Sequence, residues 1–330
     1  MGYSNSFMIT LSVSERSTIL LLIVVLNIVA NGHPLVPALF IFGDSFVDVG
    51  NNNQLLTVIK ANFPPYGRDF ENHNPTGRFS NGKLAIDFIA ETIGFTSSPP
   101  AYLNLDIKGN SLLNGANFAS AGSGLLDHTG RQHNIYALGA RKIGLSTIPP
   151  MGCLPVAITA VGLHSNECVP WLNYAALNFN QKLNTISQDF KQMLPGINLV
   201  ILDMYQPLYD MVTKPSDYGF FEARKGCCGT GLVETSIMCN QMSIGTCANA
   251  SQYVFWDGMH PTEATNKILA DHLVAAGTSL ISKSNLSVHI VDLLDLNLFP
   301  FYPNQTFISS HCGNTRLECV CYWSDTLKCT

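Results

Sequence analysis

The sequence predicts an α/β fold of three layers, in which a parallel β-sheet lies between helices. Residues 38–42 form a continuous apolar run, residues 197–202 (INLVIL) predict a second buried strand, and residues 141–148 predict a further strand that Pro149 and Pro150 end. Continuous apolar runs of this length are typical of strands that are covered on both faces. Helical patterns follow these runs along the chain, and such alternation favours parallel strands joined by helices.

The predicted helices rest on apolar spacing and on residues that end helices. Residues 82–93 predict a helix that Asn81 caps and Gly94 ends, with Asp87 and Glu91 facing solvent. Further helices are predicted at residues 55–61, 169–194 and 261–277. The chain has 330 residues, 46% of them hydrophobic, and can therefore bury one large core.

The N-terminus carries an apolar run at residues 19–30, preceded by Arg16 and followed by small residues. This run is short for a membrane span, so residues 1–32 are predicted to be a secretory signal peptide cut near Gly32. The alternative is an uncleaved anchor. With the signal removed, we expect no stable membrane span and a secreted, extracellular protein.

Ten cysteines agree with export, because cysteines in an oxidising compartment form disulfides by default. Proximity in the sequence favours Cys153 with Cys168, and Cys227 or Cys228 with Cys239 or Cys247. Glycosylation sequons occur at Asn249, Asn285 and Asn304.

The periodic pattern decays from residue 279 onward. Residues 33–278 are therefore predicted to form the folded domain, and residues 279–330 an irregular, divergent tail that contains cysteines. This tail is either tied by disulfides or never packs. A metal site is the alternative use of His311, Cys312, Cys319, Cys321 and Cys329. Their spacing differs from the paired C-x2-C pattern of zinc sites, so no metal is expected.

The charge balance excludes one class of partner. The net charge is −5, charged residues make up 12% of the chain, and no basic run occurs. We therefore expect no nucleic-acid partner.

Ser45 follows the first apolar run, where the carboxyl end of a parallel strand would place it at a ligand-binding edge. A serine hydroxyl is a poor nucleophile without a general base, usually a histidine that a carboxylate orients. The plainer alternative is a strand-to-helix turn without chemistry.

A suitable pair occurs in the stretch WDGMHPTE, where Asp257 precedes His260 by three residues. A turn could fold the carboxylate onto one ring nitrogen and leave the other nitrogen free to take a proton. The alternative is that Asp257 only caps the next helix and His260 is an ordinary residue at its start.

Six blocks of sequence carry a resemblance to a known family. They are GDSFVDVGNNN, PTGRFSNGK, NFASAGSG, LGARKIGLSTIPPMGCLP, KGCCGTG and FWDGMHPTEATNKILA. These blocks, over about residues 38–278, resemble those of the plant GDSL esterase/lipases, a branch of the SGNH hydrolases, and they stand in the family's order. A G-x-S-x-G nucleophile elbow is excluded, because no glycine stands two residues after Ser45.

The resemblance implies a secreted serine hydrolase that acts on acyl or acetyl esters without a cofactor. Ser45 matches the family's nucleophile, His260 its general base and Asp257 the carboxylate that orients the base. The backbone N–H groups of Ser45 and Gly122 match two donors of the oxyanion hole. The resemblance also leaves Asp44, Asp48 and Asn53 to tie down the nucleophile loop, as their turn preferences suggest. These three therefore receive a structural role.

The sequence departs from the family after Gly124, where no G-x-N-D block occurs. The family's third oxyanion donor is the asparagine of that block, and the nearest asparagine here, Asn134, lacks the strand context. The lost block also carries a central strand, so the strand before Ser45 and the strand at 141–148 would either pair directly or leave a gap. We therefore expect a weak or inactive esterase, the alternative being a non-catalytic secreted protein that binds cell-wall carbohydrate or protein.

Overall fold

The computed structural model describes part of the chain. The described residues are 34–104, 109–124, 135–162, 167–281 and 288–291, with the backbone alone at 109–111, 291, 321–324 and 326–329. The predicted signal peptide, two sequons and several earlier candidates lie outside the described residues: Asn134, Asn285, Asn304, His311, Cys312 and Cys319.

A five-stranded sheet with all strands parallel forms the centre of the described structure. Its strands are β1 (Leu39–Phe42), β2 (Gly115–Asn117), β3 (Lys142–Ser146), β4 (Asn198–Leu202) and β7 (Val288–Val291), in the order β2-β1-β7-β3-β4. A separate parallel pair is formed by β5 (Glu222–Gly226) and β6 (Tyr253–Phe255). The predicted α/β fold with a parallel sheet is confirmed.

The place between β1 and β3 is taken by β7. Ile290 pairs with Ile41 on one side and with Gly144 on the other, and both pairings are parallel. The sequence analysis expected β1 and β3 either to pair directly or to leave a gap. Both expectations are wrong, because β7 pairs with each of them. Strand β7 comes from the stretch assigned to the irregular tail. Its four residues run on into further apolar residues at 293, 294, 296, 298 and 299, and no Gly or Pro marks its end before Pro300, so the sequence gives a weak strand signal.

Five α-helices accompany the strands in the described residues. They are α1 (Ala85–Thr92), α2 (Pro155–Ala160), α3 (Pro170–Met193), α4 (Tyr205–Thr213) and α5 (Glu263–Ala276). Helices α1 and α5 pack against each other, and their buried side chains share one core with β1 and β7. Leu39, Ile41, Ile89, Leu273 and Val288 belong to this core.

The start of α1 corrects the sequence analysis. Asp87 does not face solvent: it is buried, accepts a hydrogen bond from the backbone N–H of Leu84 at 2.8 Å and pairs with Arg78 at 2.7 Å. Asn81 does not cap α1, because its side-chain oxygen accepts from the backbone N–H of Glu263 at 2.9 Å. The side chain thus joins the loop before α1 to the start of α5.

Two other predicted boundaries also shift. Helix α5 begins after Thr262, whose hydroxyl caps it by accepting from the backbone N–H of Thr265, and Pro261 lies before the helix. Residues 55–61 form no helix, and a 3-10 helix occupies Asn51–Gln54 instead. The side-chain amides of these asparagines donate to backbone carbonyls of distant loops, at Ala119, Ala121 and Thr76, and so tie the turn to those loops.

Three disulfides close loops within the described residues, and they confirm the pairings expected from proximity. Cys153 bonds Cys168, Cys227 bonds Cys247 and Cys228 bonds Cys239.

Residues 299–330 form a second unit, separate from the unit that spans residues 1–298. In it, β8 (Cys321–Ser324) and β9 (Thr326–Cys329) form an antiparallel hairpin in which Cys321 lies opposite Cys329. No helix within the described ranges combines the length and apolar character that crossing a bilayer requires.

Candidate active site

Ser45 lies in a tight turn directly after β1. The side chain of Asp44 accepts from the backbone N–H of Phe46 at 3.0 Å, and its carbonyl accepts from the N–H of Asp48 at 3.0 Å. The turn leaves Ser45 half-buried while the residues on both sides of it are buried. The serine is therefore held at the carboxyl end of a sheet strand, where the sequence predicted it.

Asp257 and His260 share a tight loop between β6 and α5. The backbone N–H of Trp256 donates to the carbonyl of His260 at 2.7 Å and closes the loop. One carboxylate oxygen of Asp257 accepts from the backbone N–H groups of Met259 and His260, each at 2.8 Å. Ring nitrogen Nδ1 of His260 lies 2.9 and 2.8 Å from the two oxygens of the same carboxylate.

The second ring nitrogen of His260 meets the serine. Nε2 lies 2.8 Å from Oγ of Ser45. A carboxylate can only accept hydrogen bonds, so we assign the ring proton to Nδ1, and Nε2 can then accept the serine proton. The structure thus brings together Ser45, His260 and Asp257 in the order that nucleophilic catalysis requires.

Aromatic rings enclose the imidazole. The ring centroids of Phe79 and Phe46 lie 5.0 and 5.7 Å from that of His260, and His260 itself is 4% exposed. These rings restrict the imidazole to one orientation and keep water from its faces. The sequence analysis missed both contacts. The contact of Phe46 could have been predicted, because Phe46 directly follows Ser45 in the sequence.

The sequence analysis also missed Tyr66. Its hydroxyl donates to the second carboxylate oxygen of Asp257 at 2.7 Å, and both side chains are fully buried. Burial and, after it, the charge of Asp257 hold the pKa of the Tyr66 phenol well above its ordinary value, so the phenol stays protonated. The stretch at residues 63–81 is rich in Pro, Gly and Asn and indicates only a loop.

Gly122 lies in a loop that is bound to the serine turn. The backbone of Ala121 donates to Asp48 at 3.1 Å and accepts from the side-chain amide of Asn52 at 2.8 Å. Gly122 is exposed, with φ of +91°. Within the described ranges, no protein group accepts a hydrogen bond from the backbone N–H of Ser45 or of Gly122. Both donors remain available to an oxyanion.

Asp48 organises the nucleophile loop. Its carboxylate, fully buried, accepts from the backbone N–H groups of Gly50 and Asn51 at 2.8 and 2.7 Å, in addition to Ala121. Burial raises the pKa of the carboxyl group, and these backbone donors oppose that effect. Asn53 ties the loop to the carbonyl of Thr76 at 2.8 Å. The structural role predicted for Asp44, Asp48 and Asn53 is confirmed.

A family model described as GDSL-like lipase/acylhydrolase matches residues 39–138 and 129–273. The chain belongs to this GDSL family. It is 49% identical to GDSL esterase/lipase At5g22810 of Arabidopsis thaliana, over 78% of this chain and 94% of the relative. GDSL esterase/lipase At5g03820 of the same plant is 46% identical, over 77% of this chain and 94% of the relative. GDSL esterase/lipase APG, also from Arabidopsis thaliana, is 44% identical over 75% and 92%.

The GDSL family consists of carboxylic ester hydrolases. The residues that make the contacts described above lie in the sequence blocks that carry the resemblance. The first block supplies Ser45 and Asp48, the third supplies Gly122, and the last supplies Asp257 and His260. Within the described residues, no group of three or more His, Cys, Asp or Glu side chains is arranged to hold a metal ion.

Proposed function

We propose that this GDSL family member is a secreted serine hydrolase of acyl or acetyl esters. The contact of 2.8 Å between Nε2 of His260 and Oγ of Ser45 carries the proposal, because it joins a nucleophile to its base. The names of the relatives, each an esterase/lipase, support the same substrate class.

In the first half of the reaction, Oγ of Ser45 attacks the ester carbonyl carbon and Nε2 of His260 takes the hydroxyl proton. The carbonyl oxygen becomes an oxyanion, which the backbone N–H groups of Ser45 and Gly122 stabilise. The C–O bond to the alcohol then breaks, and His260 returns the proton to the departing alcohol. Asp257 holds the imidazole in place and stabilises its protonated form.

In the second half, a water molecule attacks the acyl-serine ester and His260 takes one of its protons. The second oxyanion collapses, the bond between the acyl group and Ser45 breaks, and His260 returns the proton to Oγ. The carboxylic acid leaves and the enzyme is restored. No cofactor takes part in this sequence.

We further propose that the chain lacks the asparagine donor of the family's third block and is therefore slow. The family model matches as two segments that meet at residues 129–138, close to the shortened stretch at 124–136. The alignment to the first relative runs over 339 positions but uses only 78% of a 330-residue chain, so it contains gaps on this side. Loss of one oxyanion donor typically lowers the rate by about a hundred- to a thousandfold.

The test is to produce the full chain in a eukaryotic host that secretes it, and to assay p-nitrophenyl acetate and butyrate. We expect slow hydrolysis that Ser45→Ala abolishes. Turnover at about 1 per second or faster, also abolished by Ser45→Ala, would contradict slow catalysis and leave the hydrolase intact. Unchanged hydrolysis in Ser45→Ala would remove the serine mechanism.

A fluorophosphonate probe separates the second candidate, a non-catalytic protein that binds cell-wall carbohydrate or protein. The shortened stretch at 124–136 is the observation that favours it. Covalent labelling of Ser45 requires a working base, so we expect labelling of the native chain and none of His260→Ala. A folded native chain that stays unlabelled would favour the binding protein.

Secretion is supported by the three disulfides, which form in an oxidising compartment. In plant cells, we expect the protein in the apoplastic fluid with its mature N-terminus near residue 33. N-terminal sequencing of the extracellular protein checks the cleavage. A start at residue 1 would instead indicate an uncleaved anchor.

A further inference from the structure

We propose that Tyr66 is a positioning residue of the active site, whose hydroxyl fixes the Asp257 carboxylate so that Asp257 can orient His260. The inference rests on the proposed hydrolase function. Tyr66 does not touch the contact between Ser45 and His260. The proposal gives it a role in the reaction through Asp257.

The direction of the hydrogen bond from Tyr66 is fixed by its neighbours. The phenol oxygen accepts from the backbone N–H of Ser236 at 2.8 Å, and that N–H cannot accept a hydrogen bond. Among the residues that the structure describes, the only group left for the phenol hydrogen is the carboxylate of Asp257, at 2.7 Å. A carboxylate accepts and does not donate, so the two partners of Tyr66 agree on one arrangement.

The hydroxyl completes the set of donors around Asp257. One carboxylate oxygen accepts from two backbone N–H groups, whereas the second oxygen has, in the described part of the chain, only the Tyr66 hydroxyl and the ring of His260 as partners. Asp257 is fully buried, so water cannot replace a missing donor. Without the phenol, the second oxygen would keep a single partner and the carboxylate plane could rotate away from Nδ1.

The ring of Tyr66 is itself fixed by packing. Its edge contacts are with Phe63, Phe79 and Trp256, at centroid distances between 5.8 and 6.2 Å. Phe79 also contacts the imidazole of His260. The phenol oxygen is therefore delivered to Asp257 by a rigid aromatic cluster, which is the support that a precise catalytic geometry needs.

Tyr66 also connects the carboxylate to a loop near Gly122. Oγ of Ser236 lies within 3.1 Å of the carbonyl oxygens of Val58 and Lys60. Ile59 stands between these two residues in the chain, and its Cδ1 would lie 3.0 Å from a Cβ atom placed on Gly122. One chain of contacts therefore links the carboxylate to the surroundings of the proposed oxyanion donor.

The experiment compares Tyr66→Phe with Tyr136→Phe, a matched removal of a hydroxyl that donates to the carbonyl of Pro195 outside the site. Rates are expressed per active site that a fluorophosphonate labels, so that unfolded protein does not count. We expect kcat for p-nitrophenyl acetate to fall about tenfold in Tyr66→Phe with KM unchanged, because one hydrogen bond to a charged group is lost. Tyr136→Phe should match the native chain. A Tyr66→Phe variant that is only less stable, with native kcat per labelled site, would overturn the proposal.

A second measurement needs no turnover and keeps the inference separate from the hydrolase function. The proton on Nδ1 of His260 is followed by NMR in protein with 15N-labelled histidine, and His260→Ala identifies its signal. We expect the signal to shift or broaden in Tyr66→Phe and to stay in place in Tyr136→Phe. If the native chain shows no serine-dependent turnover, the hydrolase function fails, and this signal alone decides the role of Tyr66. An unchanged signal in Tyr66→Phe would refute it.

Discussion

The hydroxyl oxygen of Ser45 lies 2.8 Å from Nε2 of His260, although 215 positions separate the two residues in the chain. The contact joins the end of strand β1 to the loop before helix α5. Several measurable consequences follow from it and from the elements that hold it.

The two residues should act as one unit. Ser45→Ala and His260→Ala should each lower kcat for p-nitrophenyl acetate by about a thousandfold or more, and the double variant should lose no more than either single one. His272→Ala, which removes an exposed histidine of α5, is the control and should keep native kcat. Independent, multiplying losses in the double variant would show that the two residues do not cooperate.

Gly122 should not tolerate a side chain. Gly122→Ala introduces a Cβ at φ of +91° and places it 3.0 Å from Cδ1 of Ile59, which displaces the backbone N–H proposed as an oxyanion donor. We expect kcat to fall about tenfold or more. Gly139→Ala carries a similar strain, at φ of +103°, with no described residue within 4 Å of the added Cβ, and serves as the control. Equal activity of both variants would remove Gly122 from the oxyanion hole.

Asp48 should stabilise the nucleophile loop through charge and geometry. Asp48→Asn replaces one acceptor oxygen by a donor that faces backbone N–H groups, so buried donors lose their partner. The free energy of unfolding should fall by about 2–4 kcal/mol, measured by urea denaturation. Asp271→Asn, at an exposed site on α5, should change it by less than about 0.5 kcal/mol. A stable Asp48→Asn variant would mean that its neighbours do not depend on the carboxylate.

Strand β7 should be essential for the sheet. Ile290→Pro removes a backbone N–H and introduces a ring in a strand that has a parallel neighbour on each side. We expect a loss of about 3 kcal/mol or more in the free energy of unfolding, or no folded protein. Ile290→Val, which removes one methylene group, should cost about 0.5–1.5 kcal/mol. If the proline variant is as stable as the valine variant, β7 does not occupy the centre of the sheet.

His289 should make the fold sensitive to mild acid. Burial lowers the pKa of His289 in the folded protein below the value of about 6.5 expected in the unfolded chain. The unfolded chain therefore binds a proton first, so stability falls as the pH drops through about 6.5 towards the folded pKa.

The check is the urea midpoint of unfolding at pH 7.5 and 5.5. His289→Phe keeps the ring stack on Phe40, whose centroid lies 5.0 Å away, and should lose less stability on acidification than the native chain. His272→Gln, at an exposed position, should behave as the native chain does. An unchanged pH dependence in His289→Phe would assign the acid sensitivity to other groups.

Local patterns were sufficient where chemistry and geometry depend on neighbouring residues. Asp257 and His260 are three residues apart, and the turn between them produces the predicted contact. Cys153 and Cys168 are likewise close in sequence, and they pair. The short apolar runs before Ser45 and at 197–202 predicted strands, because a buried parallel strand is marked by its apolar residues and needs no other signal.

The sequence failed where a distant partner decides the outcome. Asp87 has the spacing of an exposed helix residue, but Arg78 makes its burial tolerable, and no period in the sequence shows that pair. Tyr66 meets Asp257 from 191 positions away, through a loop without regular structure. Strand β7 is short and lies in a segment of weak periodicity, so its place between β1 and β3 is a property of the assembled sheet.

The position of β7 also sets the order in which the molecule can be completed during synthesis. A ribosome has translated nearly nine-tenths of the chain before residues 288–291 exist, so β1 and β3 each wait with one open side while everything between them emerges. Unpaired strand edges of this kind invite aggregation. A chain arrested before residue 288 would therefore present the nucleophile on an unfinished sheet, with the edges of β1 and β3 still open.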